Sequence, residues 1–332
     1  MTTSTMRAMR MHATGGADAF VQENLPVPTP AAGEALVRVD YAGVNFIDVY
    51  KRTGLYKVPL PATLGEEGAG VVEAIGDGVT GVRIGDRVAW SGVLGAYAER
   101  AIVPAAALVP VPEGVDTRLA AAVMLQGMTA HYLATSTYPL KVGDWCLVHA
   151  AAGGVGLLLV QMAKRRGAHV IATAGSEEKM ALARSAGADH VIDYTHQDFV
   201  AEVRRITESK GVQVIYDSVG RTTFLPGFEV LARRGTMVLF GQSSGPVAPI
   251  DPQLLNQRGS VYLTRPKLGD YTATREALLW RSGELFDWMA RGELSVRVGA
   301  EFSLANVGDA HRALEGRQTT GKVLLSVARN PL

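Results

Sequence analysis

An α/β fold, a doubly wound parallel sheet preceded by a smaller β-rich domain, is what this sequence predicts, and three observations carry the prediction. The first is the stretch Val148-His149-Ala150-Ala151-Ala152-Gly153-Gly154-Val155-Gly156, which lies between a short apolar run, Trp145 to Ala151, and an apolar helical pattern continuing to about Arg166. A strand therefore turns directly into a helix. The second is a series of six strand-like segments, Trp145–Ala151, Ala168–Thr173, His190–Asp193, Val212–Asp217, Gly235–Phe240 and Ser260–Thr264, separated by helical or loop segments. That alternation is the pattern of a Rossmann sheet with crossovers. The third is the contrast with the preceding part of the chain, rich in Gly and Pro, where short β-like runs such as Ala35–Ala42, Gly68–Ile75, Asp86–Trp90 and Leu108–Val111 are set off by turn signals. This part reads as a Greek-key or partly open β-barrel. After the sheet come a helical stretch from Arg275 to Arg291, a helix from Val307 to Glu315 and a final strand from Lys322 to Val327, which is expected to rejoin the first domain because two helices separate it from the parallel sheet. The expected division is thus 1–125, 126–268 and 269–332.

The strand-to-helix turn is a dinucleotide-binding fingerprint. G-x-G-x-x-G reads here as Ala151-x-Gly153-x-x-Gly156. The turn residues Ala152, Gly153, Gly154, Val155 and Gly156 are the candidates: the absence of a bulky side chain at the turn lets the free N–H groups of a helix N-terminus approach a pyrophosphate, and the last glycine lets the helix lie close on the strand. A merely tight turn is the competing reading. At the end of the second strand, where an NAD-selecting enzyme places Asp or Glu for the ribose 2′-hydroxyl, the chain has Ala174, followed by Gly175-Ser176-Glu177-Glu178-Lys179. A hydroxyl and an ammonium stand where a carboxylate would repel a 2′-phosphate, so NADPH is favoured over NADH. Ser176 would equally serve as a helix cap, with Glu177 and Glu178 in the first turn and Lys179 solvated.

Composition narrows the class. The net charge of +1 gives no basis for a nucleic-acid or membrane partner. The single cysteine, Cys146, excludes an intramolecular disulfide and a cysteine-rich zinc site, and falls in an apolar strand as a buried thiol would. No apolar run approaches the roughly 18 residues of a transmembrane helix, and Met1 to His12 lacks the apolar core of a secretory signal, reading as a short tail that enters a strand. A cytoplasmic location is expected.

Several local matches converge on one family. Asn45-Phe46-Ile47-Asp48-Val49-Tyr50, Gly54-Leu55-Tyr56, Leu64-Gly65-Glu66-Glu67-Gly68-Ala69-Gly70, Ala150–Gly156, Tyr216-Asp217-Ser218-Val219-Gly220 and Thr264-Arg265-Pro266 resemble the zinc-independent quinone oxidoreductases, the zeta-crystallin group of the medium-chain dehydrogenase/reductase superfamily, from about residue 6 to residue 327. The resemblance implies a GroES-like partly open β-barrel domain beside the Rossmann domain, NADPH as cofactor, a quinone as substrate and a homodimer paired through the sixth strand, Tyr262-Leu263-Thr264-Arg265-Pro266. Zinc-dependent relatives carry a cysteine where this chain has Asn45 and a histidine-glutamate pair in the segment Gly65-Glu66-Glu67-Gly68; Glu67 alone is a poor zinc site, and the seven histidines show no ligand spacing. No metal is expected.

Without a Lewis acid, alcohol dehydrogenation loses its main electrophile, whereas a quinone accepts hydride readily because its product is aromatic. The protein must hold the reactants together, exclude water and offer a donor to the oxyanion. Asn45, Tyr50 and Tyr56 are the candidates, with turn-making for Asn45 and packing for the tyrosines as the alternatives. In the resembled family their counterparts line the cleft near the nicotinamide. For the rest of the cofactor site, Gln126-Gly127-Met128-Thr129 precedes a helix, so that Thr129 either donates to the cofactor or caps that helix. Ser218 and Phe240-Gly241-Gln242-Ser243 follow the fourth and fifth strands at the sheet edge where nucleotides bind. By resemblance, Tyr194 lies beside the 2′-phosphate, Arg265 joins the cofactor set, and Arg317, otherwise a surface charge, reaches the phosphate from the other domain. The leading expectation is an NADPH:quinone reductase; an NADPH-dependent reductase of α,β-unsaturated aldehydes or ketones and a non-catalytic nucleotide-binding protein of crystallin type are the alternatives.

Overall fold

A computed structural model of the chain describes residues 4–327. The first three residues of the N-terminal tail, and residues 328–332, lie outside that range. The chain divides into two compact units, one running to Met128 and resuming at Thr272, the other spanning Thr129–Tyr271.

Unit 1 begins with β1 (Thr5–Met11), β2 (Phe20–Pro26), β3 (Glu34–Val44), helix α1 (Phe46–Arg52), β4 (Ala62–Thr63), β5 (Glu67–Ile75), β6 (Arg87–Ser91), β7 (Arg100–Pro104) and β8 (Val109–Pro110). β2, β1 and β4 form an antiparallel sheet. The long strand β3 organises the second sheet, pairing antiparallel with both β5 and β7. Alternation puts Val37 and Val39 into a core with Val72, Val88, Trp90, Tyr97 and Leu108, and a register shift between Val39 and Tyr41 brings Ala42 and Val44 to the same core.

Helix α2 (Thr117–Tyr132) corrects one expectation. Gln126-Gly127-Met128-Thr129 does not precede a helix but lies inside one, so Thr129 caps nothing. The helix starts earlier because Asp116 caps it, its Oδ1 accepting from Leu119 N–H at 2.6 Å. Gly127 is no breaker here. A Cβ at that position would stand 2.7 Å from Val123 Cγ2 and 3.0 Å from Leu285 Cδ1, so its bareness admits close side-chain packing.

Unit 2 contains β9 (Trp145–Val148), α3 (Gly154–Arg165), β10 (His169–Ala174), α4 (Glu177–Ser185), β11 (His190–Asp193), α5 (Phe199–Ile206), β12 (Val212–Asp217), α6 (Phe224–Gly227), β13 (Leu231–Leu239), α7 (Gln253–Gln257), β14 (Tyr262–Thr264) and α8 (Leu268–Tyr271). All neighbouring strands are parallel and run in the order β11-β10-β9-β12-β13-β14, which is 3-2-1-4-5-6 within the unit, the doubly wound Rossmann order. Two strand limits move for backbone reasons. β9 ends at Val148 because Ala150 turns to φ 51°, and β14 starts at Tyr262 because Ser260 turns to φ 56°.

The chain returns to unit 1 through α9 (Arg275–Ala290), β15 (Val298–Ser303), α10 (Val307–Glu315) and β16 (Lys322–Ser326). β16 pairs parallel with β15 and antiparallel with β3, completing the order β15-β16-β3-β5-β6-β8. Val323 and Leu325 thereby enter the same core as Val37.

Candidate functional site

In unit 2 the predicted nucleotide residues gather at the carboxyl edge of the sheet. Gly153 is the N-cap of α3, with extended backbone at φ −75°, and no side chain caps the helix, so its first N–H groups remain directed outward. A Cβ at Gly156 would stand 2.5 Å from the Ala150 carbonyl oxygen and 2.7 Å from Ala151 Cα, which is the close helix-to-strand approach the fingerprint requires. Gly153 differs: its only near neighbour would be the Ala150 oxygen at 3.2 Å. Its bareness leaves space outside the turn rather than within the fold. Behind the turn, His149 Nδ1 meets Thr173 Oγ1 at 3.1 Å and its ring stands edge-on to Phe199, while burial depresses its pKa and keeps it neutral.

A second corner forms at the end of β10. Ser176 caps α4, its Oγ accepting from Lys179 N–H at 3.3 Å. The Tyr194 phenol lies over Gly175, where a Cβ would stand 2.5 Å from its oxygen. Ser176 and Tyr194 thus flank one small surface at the head of α4, Lys179 lies in that helix's first turn, and buried Ala174 brings no carboxylate to it. Glu177 is held by Arg184 at 2.8 Å, which offsets one nearby negative charge. On the other side of the sheet, Ser243 N–H donates to the Ser218 carbonyl at 3.1 Å, bringing the loops after β12 and β13 together. Buried Asp217 fixes the first of them, accepting from Val219 N–H at 2.7 Å, Gly220 N–H at 3.0 Å and Thr223 Oγ1 at 2.9 Å. Phe240, Gly241 and Gln242 lie in that paired loop, and Arg265 donates to the Leu239 carbonyl at 2.9 Å beside it.

In unit 1 the three reaction candidates separate into two groups. Tyr50 and Tyr56 pack edge to face with centroids 5.4 Å apart, and Phe46 lies 6.0 Å from Tyr50. Asn45 opens the same helix but its amide is committed elsewhere. Nδ2 donates to Glu67 Oε2 at 2.8 Å, and Oδ1 accepts from Lys322 Nζ at 2.8 Å and Gln126 Nε2 at 3.2 Å. Glu67 also accepts from Leu125 N–H at 2.7 Å and is paired with Lys322. Gln126 Oε1 is buried without a partner among the described residues. Lys322 and Gln126 went unrecognised as partners of Asn45. A lysine opening an apolar strand, as in Lys322-Val323-Leu324-Leu325, was the available signal that its charge is needed inside.

Two further ionisable groups border α1. Asp48 is fully buried and holds Asn45 N–H at 3.0 Å; burial raises its pKa to about 6, against the pull of that hydrogen bond and of Lys322. Lys51 is paired with Glu66, and desolvation lowers its pKa while Asp48 opposes the shift. Among the described residues no three His, Cys, Asp or Glu side chains gather to hold a metal ion. Arg317 lies exposed after α10 with φ 56°.

The comparisons with known proteins follow the same division. Residues 31–113 match the alcohol dehydrogenase GroES-like domain and residues 154–276 the zinc-binding dehydrogenase family. A quinone oxidoreductase of Pseudomonas aeruginosa is 44% identical over 321 residues, covering 96% of this chain and 99% of that one. The chain belongs to the quinone oxidoreductase family. Within it, the crystal structure of Escherichia coli quinone oxidoreductase complexed with NADPH superposes with a TM-score of 0.94 at 42% identity, over 96% of this chain and 99% of that one. A 2-haloacrylate reductase from Burkholderia is 41% identical over 95% of this chain and 97% of its own length. The family's two domain types, a GroES-like domain and a Rossmann domain of the medium-chain dehydrogenase/reductase superfamily, account for unit 1 and unit 2 respectively.

Proposed function

We propose that this protein is an NADPH-dependent quinone reductase that works without zinc. The observation that carries the proposal is the pairing, in unit 2, of an uncapped α3 N-terminus with a corner made of Ser176, Lys179 and Tyr194 beside Ala174. The first suits a pyrophosphate and the second a 2′-phosphate. Ala152, Gly153, Gly154, Val155 and Gly156 cradle the pyrophosphate; Ser218, Phe240, Gly241, Gln242, Ser243 and Arg265 hold the remaining nucleotide, with Thr129 contributing a further contact. NADPH, when bound, supplies the hydride. Tyr50 and Tyr56 donate to the oxyanion that reduction creates, and Asn45 is held rigid by Glu67, Lys322 and Gln126. The segments 1–125, 126–268 and 269–332 serve acceptor handling, nucleotide binding and completion of the first domain.

The named relatives support the reaction: one is a quinone oxidoreductase, and another of that name is complexed with NADPH. A reductase of activated double bonds is the second reading, favoured by the 2-haloacrylate reductase. Zinc independence draws support from Asn45 and Glu66 at ligand-type positions of zinc-dependent relatives. A homodimer is supported by β14, an edge strand with exposed Tyr262 and Leu263 where a second copy would continue the sheet. A cytoplasmic location agrees with the single buried Cys146, and no helix among the described residues is long and apolar enough to cross a membrane. The deciding experiment is NADPH oxidation against a panel of quinones and enals, with and without a zinc chelator. Quinone-dependent turnover that survives chelation is expected; no oxidation with any acceptor would leave a nucleotide-binding protein without this activity.

A further inference from the structure

Among the described residues of unit 1, two ion pairs have both side chains largely withdrawn from water, and they differ in one respect. The Lys322 and Glu67 side chains are 1% and 0% exposed, whereas those of Lys51 and Glu66 keep 14% and 13%. A sealed pair exchanges no protons with solvent unless the fold opens; a pair at the rim does so freely. Lys51 directly follows Tyr50 in α1, and Tyr56, whose N–H donates to the Tyr50 carbonyl at 2.9 Å, returns the chain to the same phenol. The ammonium and one phenol therefore sit on the helix that Asn45 opens, the second phenol follows that helix, and the carboxylate reaches the ammonium from the segment before β5.

We propose that Lys51 is the proton donor of the reduction and that Glu66 holds and recharges it. The inference rests on the reductase reading above. Reducing a quinone or an enone adds two electrons with one hydrogen and leaves an oxyanion, so one proton is needed to complete the product. Lys51 Nζ gives up that proton, its N–H bond breaking as the new O–H bond forms, and the neutral amine regains a proton from water at the Glu66 side. The groups facing the ammonium are Glu66, from the segment before β5, and Asp48, from its own helix; Asp48 in turn faces Lys322 and Tyr97. Desolvation favours release of the proton, and the two carboxylates favour its return. An ion pair that merely ties α1 to the segment before β5 would share this geometry, and the test is built to tell the two apart.

The experiment compares Lys51→Arg, Lys51→Met and Glu66→Gln in the full chain, with 1,4-naphthoquinone and 3-buten-2-one as acceptors. Arginine keeps the pair with Glu66 but gives up no proton, because guanidinium stays charged. An enolate needs its proton in the transition state more than a stable hydroquinone anion does. Both Lys51 variants should therefore lose about 100-fold in kcat with the enone and about tenfold or less with the quinone. They should also lose the alkaline limb of the kcat profile and the solvent deuterium isotope effect. NADPH affinity and the unfolding midpoint of Lys51→Arg should match wild type. As a reading independent of turnover, the Nζ resonance absent from Lys51→Arg should titrate in the unliganded protein, with a lower midpoint in Glu66→Gln. A Lys51→Arg protein with wild-type kcat and an intact alkaline limb would show the pair to be a tie only and overturn the proposal. A rate loss matched by an equal loss of NADPH affinity would overturn it too. Wild type that binds NADPH yet reduces neither acceptor would overturn the reductase reading itself, and with it this inference.

Discussion

Lys322 and Asn45, 277 positions apart in sequence, are joined by a 2.8 Å hydrogen bond from Nζ to Oδ1. With Gln126 donating to the same oxygen, the Asn45 amide has one consistent orientation, nitrogen toward Glu67. A charge pair thus fixes an uncharged side chain, and β16 reaches the residue that opens α1.

Removing one charge of this pair should be costly. Lys322→Met strands Glu67 as a carboxylate with 0% exposure and no cation, which is expected to lower stability by about 3–5 kcal/mol. Adding Glu67→Gln to that variant removes the stranded charge while an amide oxygen still accepts from Leu125 N–H, and should restore most of the loss. Denaturant unfolding of the single and double variants measures both. A single-variant cost below about 1 kcal/mol would mean that water reaches Glu67.

Acid behaviour should follow from two groups that meet at Tyr97. Its hydroxyl lies 3.2 Å from His311 Nε2, and burial, aided by Arg52, lowers the His311 pKa from 6.5 to about 3. The folded state therefore binds fewer protons than the unfolded state between those values, and His311 removes stability as pH falls through that window. Asp48, raised from 3.8 to about 6, acts oppositely: the folded state binds more protons, so it adds stability as pH falls from 6 toward 3.8. Each effect amounts to about 2–3 kcal/mol between neutral pH and pH 4, and in the wild type they nearly cancel. Asp48→Asn should unmask a loss of stability on acidification, and His311→Gln a gain. Equal slopes in both variants, from unfolding at a series of pH values, would contradict the assignment.

Legibility in the sequence tracked how periodic or how constrained each segment is. The nucleotide sheet was readable because its strands are buried apolar runs between helices, and α10 because Val307, Ala310 and His311 recur on one buried face. β2 escaped notice, since its exposure follows no clean alternation, and so did the two-residue β4. The start of α2 was hidden because Ala120, Ala121, Ala122, Val123 and Met124 are all buried, which erases the polar stripe that marks a helix. At the site, the turn around Gly153 was visible because glycine spacing is a local signal. The partners of Asn45 were not, because a lysine at the head of an apolar strand signals only that its charge is buried, and nothing local in β16 says which residue 277 positions away receives it.

Cofactor choice should reside in the corner after β10. Charge-assisted hydrogen bonds are worth about 1.5–3 kcal/mol, so Lys179→Ala is expected to weaken NADPH by roughly 10- to 150-fold and leave NADH nearly unchanged. Its backbone N–H still reaches Ser176 Oγ, so the α4 cap survives the substitution. Titration with both nucleotides checks this, and equal losses would show that Lys179 does not read the 2′-phosphate.

The two outer glycines of the turn should fail in different ways. At Gly156 a Cβ would meet backbone atoms of Ala150 and Ala151 at 2.5 and 2.7 Å, and backbone cannot yield as a side chain does, so Gly156→Val should destabilise unit 2 itself. At Gly153 the backbone is extended at φ −75°, which any residue adopts, and the only neighbour of a Cβ would be the Ala150 oxygen at 3.2 Å. Gly153→Val should therefore fold with a modest shift in unfolding midpoint. Its branched side chain would nevertheless stand in front of the α3 N–H groups, and NADPH binding should be lost. Fluorescence titration with NADPH, beside thermal unfolding of the unliganded variants, separates the two outcomes. A folded Gly153→Val protein that bound NADPH with wild-type affinity would place the pyrophosphate away from α3.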